Sequence, residues 1–180
     1  KWFVSLTVDA GEDYQKPRKS DGVVGIDIGI KTFAVMSDGR EFKAPKPLKE
    51  QMDLLRRDAK RLSRKQKGSN RKRKARLRLA KRYSKISNIR NDFLHKLTTM
   101  ICSENQVVVI EDLDVKGMMK RRGVRRFGRS LLDVCFGEFR RQLSYKSLIY
   151  KVKLQIADRY FPSSKSCSDC GVVKASLSLS

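Results

Sequence analysis

The sequence is poor in acidic residues, histidine and cysteine. Its 180 residues include 19 Asp and Glu, one His and four Cys, against 42 Lys and Arg, so the formal net charge is +23. So few cysteines make a secreted disulfide scaffold a poor interpretation. No apolar run approaches the roughly 18 residues of a membrane helix, and no secretory leader follows Lys1. We therefore expect a soluble intracellular protein of one domain, or one domain with a small appendage.

The positive charge is concentrated in two segments. Between Arg56 and Arg90 nearly every second residue is basic and Asp58 is the only acid, and a shorter basic cluster runs from Lys120 to Arg129. A solvated helix face or a localisation signal is one interpretation of such a run. Like charges this dense repel one another, however, and phosphates neutralise them with release of counterions. Nucleic acid is the expected partner, with an anionic membrane surface as the second possibility.

Apolar patterning predicts a mixed α/β fold. The predicted strands are residues 2–8, 23–29, 32–36, 41–43, 106–111 and 151–156. Gly29 and the Asp38-Gly39 turn join the second, third and fourth of these as an antiparallel meander. The run 106–111 is unbroken, which predicts a central parallel strand covered on both faces. The run 151–156 alternates, which predicts a strand nearer an edge.

Helical spacing of apolar residues predicts three helices. Their stripes are Leu48, Met52, Leu55, Ala59 and Leu62; Leu79, Tyr83, Ile86, Phe93, Leu97 and Met100 or Ile101; and Leu132, Phe136, Phe139, Leu143 and Tyr150. Gly68 and Ser69 separate the first helix from the second, and Asn70 can cap the N-terminus of the second helix. The first two helices therefore form an antiparallel hairpin, residues 46–102, with an exposed basic surface.

Two carboxylates are candidates for chemistry. Asp27 lies in a strand between Gly25 and Gly29, which leave room for an ion or a phosphate, and Glu111 ends the buried strand. Together they could share Mg²⁺, which prefers hard oxygen ligands. Asp27 could instead cap the turn that follows it, and Glu111 could belong to an ordinary acidic turn. Two-metal cleavage usually uses three or four acids, so a further one is needed; the candidates within the chain are Asp112, Asp114 and Asp158.

The cysteines divide into two kinds. Cys102 and Cys135 lie in apolar helical surroundings and are predicted to be core residues. Cys167 and Cys170 form a CxxC pair followed by Gly171, which is half of a zinc ribbon, with a redox pair as the alternative. The single histidine, His95, has no nucleophile motif beside it, so we expect a packing or solvent-facing role.

Four motifs in a fixed order give the chain its resemblance to a known family. They are Gly25–Thr32, Leu62–Ser69, Val109–Leu113 with Val115–Met118, and Asp158–Lys165 with Cys167–Gly171. The sequence resembles the TnpB (OrfB) family of insertion-sequence RNA-guided nucleases, whose RuvC-like core is shared with type V CRISPR effectors. The resemblance covers about residues 20–175.

The resemblance implies a RuvC-like domain of the ribonuclease H fold, with guide RNA and target DNA as partners. It implies that Asp27 and Glu111 are catalytic ligands of Mg²⁺ or Mn²⁺, and that Cys167 and Cys170 begin a Cys₄ zinc site. The third catalytic Asp and the second CxxC would lie beyond Ser180, so we expect a fragment that is catalytically incomplete. The expected divisions are residues 1–20 as the end of a preceding domain and a linker, 21–160 as the nuclease core, and 161–180 as a truncated zinc ribbon. The expected location is the bacterial or archaeal cytoplasm, associated with the nucleoid.

Basic side chains from several segments are candidates for contacting nucleic acid. They are Lys31, Arg64, Lys65, Lys67, Arg71, Lys72, Arg73, Lys74, Arg76, Arg78, Lys116, Arg121 and Arg122. Two alternatives to a nuclease stay open. One is a non-catalytic nucleic-acid-binding protein, and the other is a DNA strand-transfer transposase on the same fold.

Overall fold

The computed structural model describes residues 4–9, 11, 16–17, 19–113, 135–158 and 172. The elements in this part of the chain are β1 (Gly22–Ile28), β2 (Ala34–Met36), β3 (Glu41–Phe42), α1 (Pro47–Ser63), α2 (Asn70–Glu104), β4 (Asn105–Glu111), α3 (Phe136–Tyr150) and β5 (Lys153–Ala157). The fold is mixed α/β, as the sequence predicts. No helix in these ranges is both long and apolar enough to cross a membrane.

The strands form one mixed sheet in the order β3-β2-β1-β4-β5. The pairs β1–β2 and β2–β3 are antiparallel, whereas β4 runs parallel to both of its neighbours. The predicted meander, the central parallel strand and the edge strand are confirmed. Gly29 is required in the β1–β2 turn, because a Cβ there would lie 2.9 Å from the carbonyl oxygen of Thr32.

The hydrophobic core lies between one face of the sheet and the helices α2 and α3. Val24 and Ile26 of β1 and Ile110 of β4 are buried against it. An aromatic cluster fills its centre, where the Phe33 ring centroid lies 5.2 Å from that of Phe139 and 5.4 Å from that of Phe93, both edge to face. This core fixes which side chains of each strand face the opposite side of the sheet.

The prediction that β4 is covered on both faces is wrong for the described residues. Val107 and Val109 are only partly buried, and Val23, on the same face, is 68% exposed. The reason is topological: the crossovers from β1 to β4 and from β4 to β5 move in one direction across the sheet. Right-handed crossovers of that kind place both helices on the same face.

The strand predicted at residues 2–8 is also wrong for the part that the structure describes. Residues 4–9 form no strand, and Val4, Leu6 and Val8 are 77–85% exposed. A strand needs a neighbour to pair with its backbone N–H and C=O groups, and in the described residues none runs beside this segment.

The helices α1 and α2 form the predicted hairpin. Residue 69, and not the predicted Asn70, caps α2, because the Ser69 hydroxyl accepts a hydrogen bond from the Lys72 backbone N–H at 3.1 Å. We call residues 47–88 the arm. Leu55 and Asp58 of α1 are buried there with Ile86 of α2.

Candidate functional site

Asp27 and Glu111 occupy neighbouring positions at the carboxyl ends of two parallel strands. Ile26 pairs with Ile110 in the register of β1 and β4, and each acid is the next residue along its strand. Adjacent strands lie about 4.8 Å apart. Since the isoleucines are buried in the core, the alternation of side chains directs both carboxylates to the opposite face, where both are exposed.

The two acids line a cleft of about 190 Å³ on that face. Asp158 lines it as well, because it follows Ala157 of β5, the residue that pairs with Glu111. The sequence offers Asp112, Asp114 and Asp158 as candidates for a further acid in the site. Of these, Asp158 lies at the cleft, and Asp114 lies outside the described residues. In the described ranges, no three His, Cys, Asp or Glu side chains are grouped closely enough to hold a metal ion.

Gly25 leaves the face of β1 next to Asp27 without a side chain. A Cβ at Gly25 would lie 3.8 Å from the Cβ of Ser37, an ordinary contact, so packing does not require glycine there. The Gly25 backbone N–H donates to the Ser37 hydroxyl at 3.1 Å, which fixes β1 in place. Two exposed carboxylates with room beside them suit Mg²⁺ or Mn²⁺, which keep several water ligands. The donor set thus fits such an ion at Asp27 and Glu111.

Asp112 is directed to an arginine on α3. The Arg140 guanidinium donates to the Asp112 carboxylate at 2.8 Å. The pair connects α3 to the end of β4, one residue beyond Glu111. The sequence does not predict this pair, because the two residues lie 28 positions apart and periodicity says nothing about long-range pairing.

A network of polar side chains fastens α3 to α2. The Thr98 hydroxyl donates to the Gln142 side-chain oxygen at 3.1 Å, and the Gln142 amide donates to Glu138 at 2.9 Å. The Lys146 ammonium donates to the Thr98 hydroxyl at 2.8 Å, and burial lowers its pKa. Because Thr98 and Gln142 are fully buried, the network fixes the position of α3 and so of Arg140.

The predictions for the cysteines and the histidine agree with the structure where it describes these residues. Cys102 is buried in the core, which confirms the prediction, and burial raises its pKa to about 11. Cys135 is partly buried at the start of α3. The exposed His95 lies on α2, with its Nδ1 3.4 Å from the Tyr145 hydroxyl. Cys167 and Cys170 lie outside the described residues, so the zinc site stays a prediction.

Most of the candidate basic residues lie on the arm and its tip. Lys31 is exposed in the turn that follows β1. Exposed side chains in the hairpin are Arg64, Lys65, Lys67, Arg71, Arg73, Lys74, Arg76 and Arg78. Lys72 is partly buried. Lys116, Arg121 and Arg122 lie outside the described residues.

Asp58, the only acid between Arg56 and Arg90, is not among the site residues that the sequence predicts. It is 2% exposed, forms an ion pair with Arg82 of α2 and lies 3.9 Å from Arg61. The hydrogen bond from Arg82 lowers the pKa of the Asp58 carboxyl. The sequence signal was present, since one acid among so many cations is the natural partner for one of them.

Comparison with protein-family models shows which family the chain belongs to. Residues 5–122 match the model of the family OrfB_IS605, described as "Probable transposase". The chain belongs to this family. Residues 136–179 match a second model, the Cas12f1-like TNB domain. The resemblance to the TnpB (OrfB) family that the four motifs carry is confirmed.

Curated relatives of this family member come from several bacteria. A Streptomyces pristinaespiralis protein is 39% identical over 180 residues, which are 99% of this chain and 43% of the relative. InsQ of Escherichia coli K12 is 35% identical over 183 residues, covering 95% of this chain and 45% of the relative. A Mycobacterium tuberculosis protein is 35% identical over 158 residues, covering 83% of this chain and 34% of the relative. Each is named "Putative RNA-guided DNA endonuclease". The chain spans less than half the length of these relatives.

A solved structure shares the fold. It is the cryo-EM structure of the Cas12f1-sgRNA-target DNA complex, with a TM-score of 0.54 and 17% identity. The match covers 89% of this chain and 34% of that chain. It supports the mixed α/β fold with its five-stranded sheet.

Proposed function

We propose that this chain carries the cleavage site of an RNA-guided DNA endonuclease, on a RuvC-like domain of the ribonuclease H fold. The observation that carries the proposal is the adjacency of Asp27 and Glu111 at two parallel strand ends, in the cleft that both line. The names of the relatives and the fold shared with Cas12f1 support it. Guide RNA and target DNA are the proposed partners.

The proposed chemistry is metal-dependent phosphodiester cleavage. Asp27 and Glu111 would hold Mg²⁺ or Mn²⁺, which supplies Lewis-acid stabilisation of the developing charge on the phosphate. The remaining work falls to the chain itself. Both carboxylates lie on a rigid sheet whose buried isoleucines fix their direction, and Gly25 leaves space for a phosphate to approach. Arg140 holds Asp112, so that Glu111 is the carboxylate at the end of β4 that faces the cleft.

The basic arm would bind nucleic acid, whereas the proposed cleavage site is acidic. Phosphates and carboxylates repel each other, so binding energy has to come from cations elsewhere. A subset of the exposed cations of α1 and α2 supplies it, and Lys31 adds a charge in the turn after β1. This division gives binding and cleavage to different residues, which allows them to be tested separately.

The test replaces each proposed metal ligand without changing its shape. Asp27→Asn and Glu111→Gln should each abolish cleavage of guide-matched DNA by the protein expressed from its own gene. Each should also weaken Mn²⁺ binding, measured by electron paramagnetic resonance, and leave nucleic-acid affinity unchanged. Asp53→Asn is the matched control, because it removes one charge from an α1 carboxylate that is 94% exposed.

Three results would contradict the proposal. Cleavage that persists in either variant would place the active site elsewhere. Mn²⁺ binding equal to that of the unmodified protein would exclude these carboxylates as ligands. Products in which DNA ends are joined, and not only cut, would favour the strand-transfer transposase instead.

A further inference from the structure

One flank of the long helix α2 carries a row of cations. Lys74, Arg78, Lys81 and Lys85 follow one another at spacings of four, three and four residues. At 3.6 residues per turn they fall within an arc of about 60°, and at 1.5 Å per residue the row is about 16 Å long. We call these four residues the cationic track.

The contact between α1 and α2 fixes where the track faces. Arg82 forms the ion pair with Asp58 of α1, and Ile86 is buried. The track lies beside this contact line, on a shallow groove of about 490 Å³ that it lines together with Leu77 and Arg82. It is therefore a surface that the fold of the arm holds in one direction.

The charge is one-sided in residues 77–88 of α2. In this range the mirror-image flank carries Ala80, Tyr83 and Ser87 in place of cations. A helix that needed charge only for solubility would have no reason to place it on one side. The asymmetry indicates a ligand that lies along the track.

The four cations are also available to a ligand. All four side chains are exposed, and in the described residues none has a carboxylate within ion-pair distance. Arg82, by contrast, is already neutralised by Asp58. Asp58 attracts Arg78 at longer range, but four positive charges this close together still repel one another, and a row of phosphates would relieve that repulsion.

We infer that the cationic track binds the phosphate backbone of one nucleic-acid strand. The inference refines the binding half of the proposed function and rests on it. It adds Lys81 and Lys85 to the candidate residues, and it removes Lys72, Arg73 and Arg76, which point away from this flank. The track itself contains no aromatic side chain, so it contacts the backbone of any sequence alike.

The experiment compares two variants of the 180-residue chain that lose the same charge. The track variant replaces Lys74, Arg78, Lys81 and Lys85 with Gln, which keeps helix propensity. The control replaces Arg57, Lys60, Arg73 and Arg76, all exposed, with Gln. Affinity for single-stranded RNA, single-stranded DNA and an RNA–DNA hybrid is measured between 50 and about 200 mM salt, with EDTA to prevent cleavage.

The slope of log affinity against log salt should fall by about 3 in the track variant, since each lost phosphate contact changes it by roughly 0.7 to 0.9. The control should change it by less than half as much. A loss seen with only one polymer supports the inference and identifies the strand that lies on the track. Equal losses in the two variants, or an unchanged slope in the track variant, would overturn it. Because EDTA removes the metal, this experiment measures binding only. Its outcome does not affect the proposal that Asp27 and Glu111 hold the metal, which is tested separately.

Discussion

The sheet region and the arm contain similar helices but are stabilised by different interactions. The sheet region, which comprises the five strands, α3 and residues 93–104 of α2, has a continuous core with an aromatic cluster at Phe33. In residues 48–88, only Leu55, Asp58 and Ile86 are buried. The arm therefore depends on one apolar row and one buried ion pair.

This difference follows from charge density. Lys and Arg occupy so many positions between 56 and 90 that few remain for apolar side chains. Repulsion among the cations lowers the stability of the arm further. A ligand that binds the folded arm and neutralises these charges would stabilise it by mass action. The arm, which is the proposed binding surface, is thus expected to be less stable than the core to which it is attached.

The largest expected effect is in the sheet region. Phe139→Ala removes a fully buried ring that contacts Phe33, and such truncations cost about 3–5 kcal/mol of unfolding free energy. Urea unfolding should show this loss for the whole sheet region. Leu148→Ala on the same helix is the control, because Leu148 is 78% exposed and its loss should change little. Similar losses in both variants would show that α3 does not pack as described.

A smaller, local effect is expected in the arm. Asp58→Asn keeps the shape of the side chain but removes the charge that pairs with Arg82, so the arm should lose part of its stability. Hydrogen exchange should quicken in residues 47–88 and stay unchanged in β1 and β4. Asp53→Asn on the same helix controls for the loss of charge. If exchange also quickened in the sheet, the two regions would form one cooperative unit and the comparison would fail.

Sequence patterns predicted the elements well, because each depends on local periodicity. The meander, the central strand β4 and the hairpin all follow from short-range spacing of apolar residues. Tyr83 is the exception: helical spacing predicts it on the apolar stripe, but it is 55% exposed. Asp58 draws Arg82 onto α1 instead, and a pair 24 residues apart cannot be read from periodicity.

The candidate site was predicted only in part for a related reason. Asp27 and Glu111 could each be placed at a strand end from the sequence. Their adjacency depends on the strand order, because β1 pairs with β4 although the whole helical hairpin separates them in the sequence. The position of Asp158 at the same cleft, and the pairing of Asp112 with Arg140, depend on the same long-range packing. Residue type suggested the chemistry, and topology brought the groups together.

The smallest expected effect concerns an ion pair at the edge of the sheet region. Two hydrogen bonds of 2.8 Å from Arg141, with one from Gln142, lower the pKa of Glu138 from 4.5 to about 2. A carboxyl whose pKa is lowered by folding stabilises the protein above its unfolded pKa, and that contribution is lost as the pH falls from about 4.5 toward 2. Glu138 is 30% exposed, so solvent screening keeps the contribution to about 1 kcal/mol.

Glu138→Gln should therefore lower the urea midpoint at pH 7 and lower it much less at pH 3. Gln can still accept a hydrogen bond from Gln142, so the difference between the two pH values reports the charge and not the packing. Glu50→Gln, at an exposed residue of α1, is the control for the loss of one carboxylate. A difference that is equal at both pH values would mean that the Glu138 side chain acts through packing alone. The polar network of the sheet region would then stabilise the protein by packing, as the apolar core does. Stabilisation by a buried ion pair would be a property of the arm, through Asp58 and Arg82.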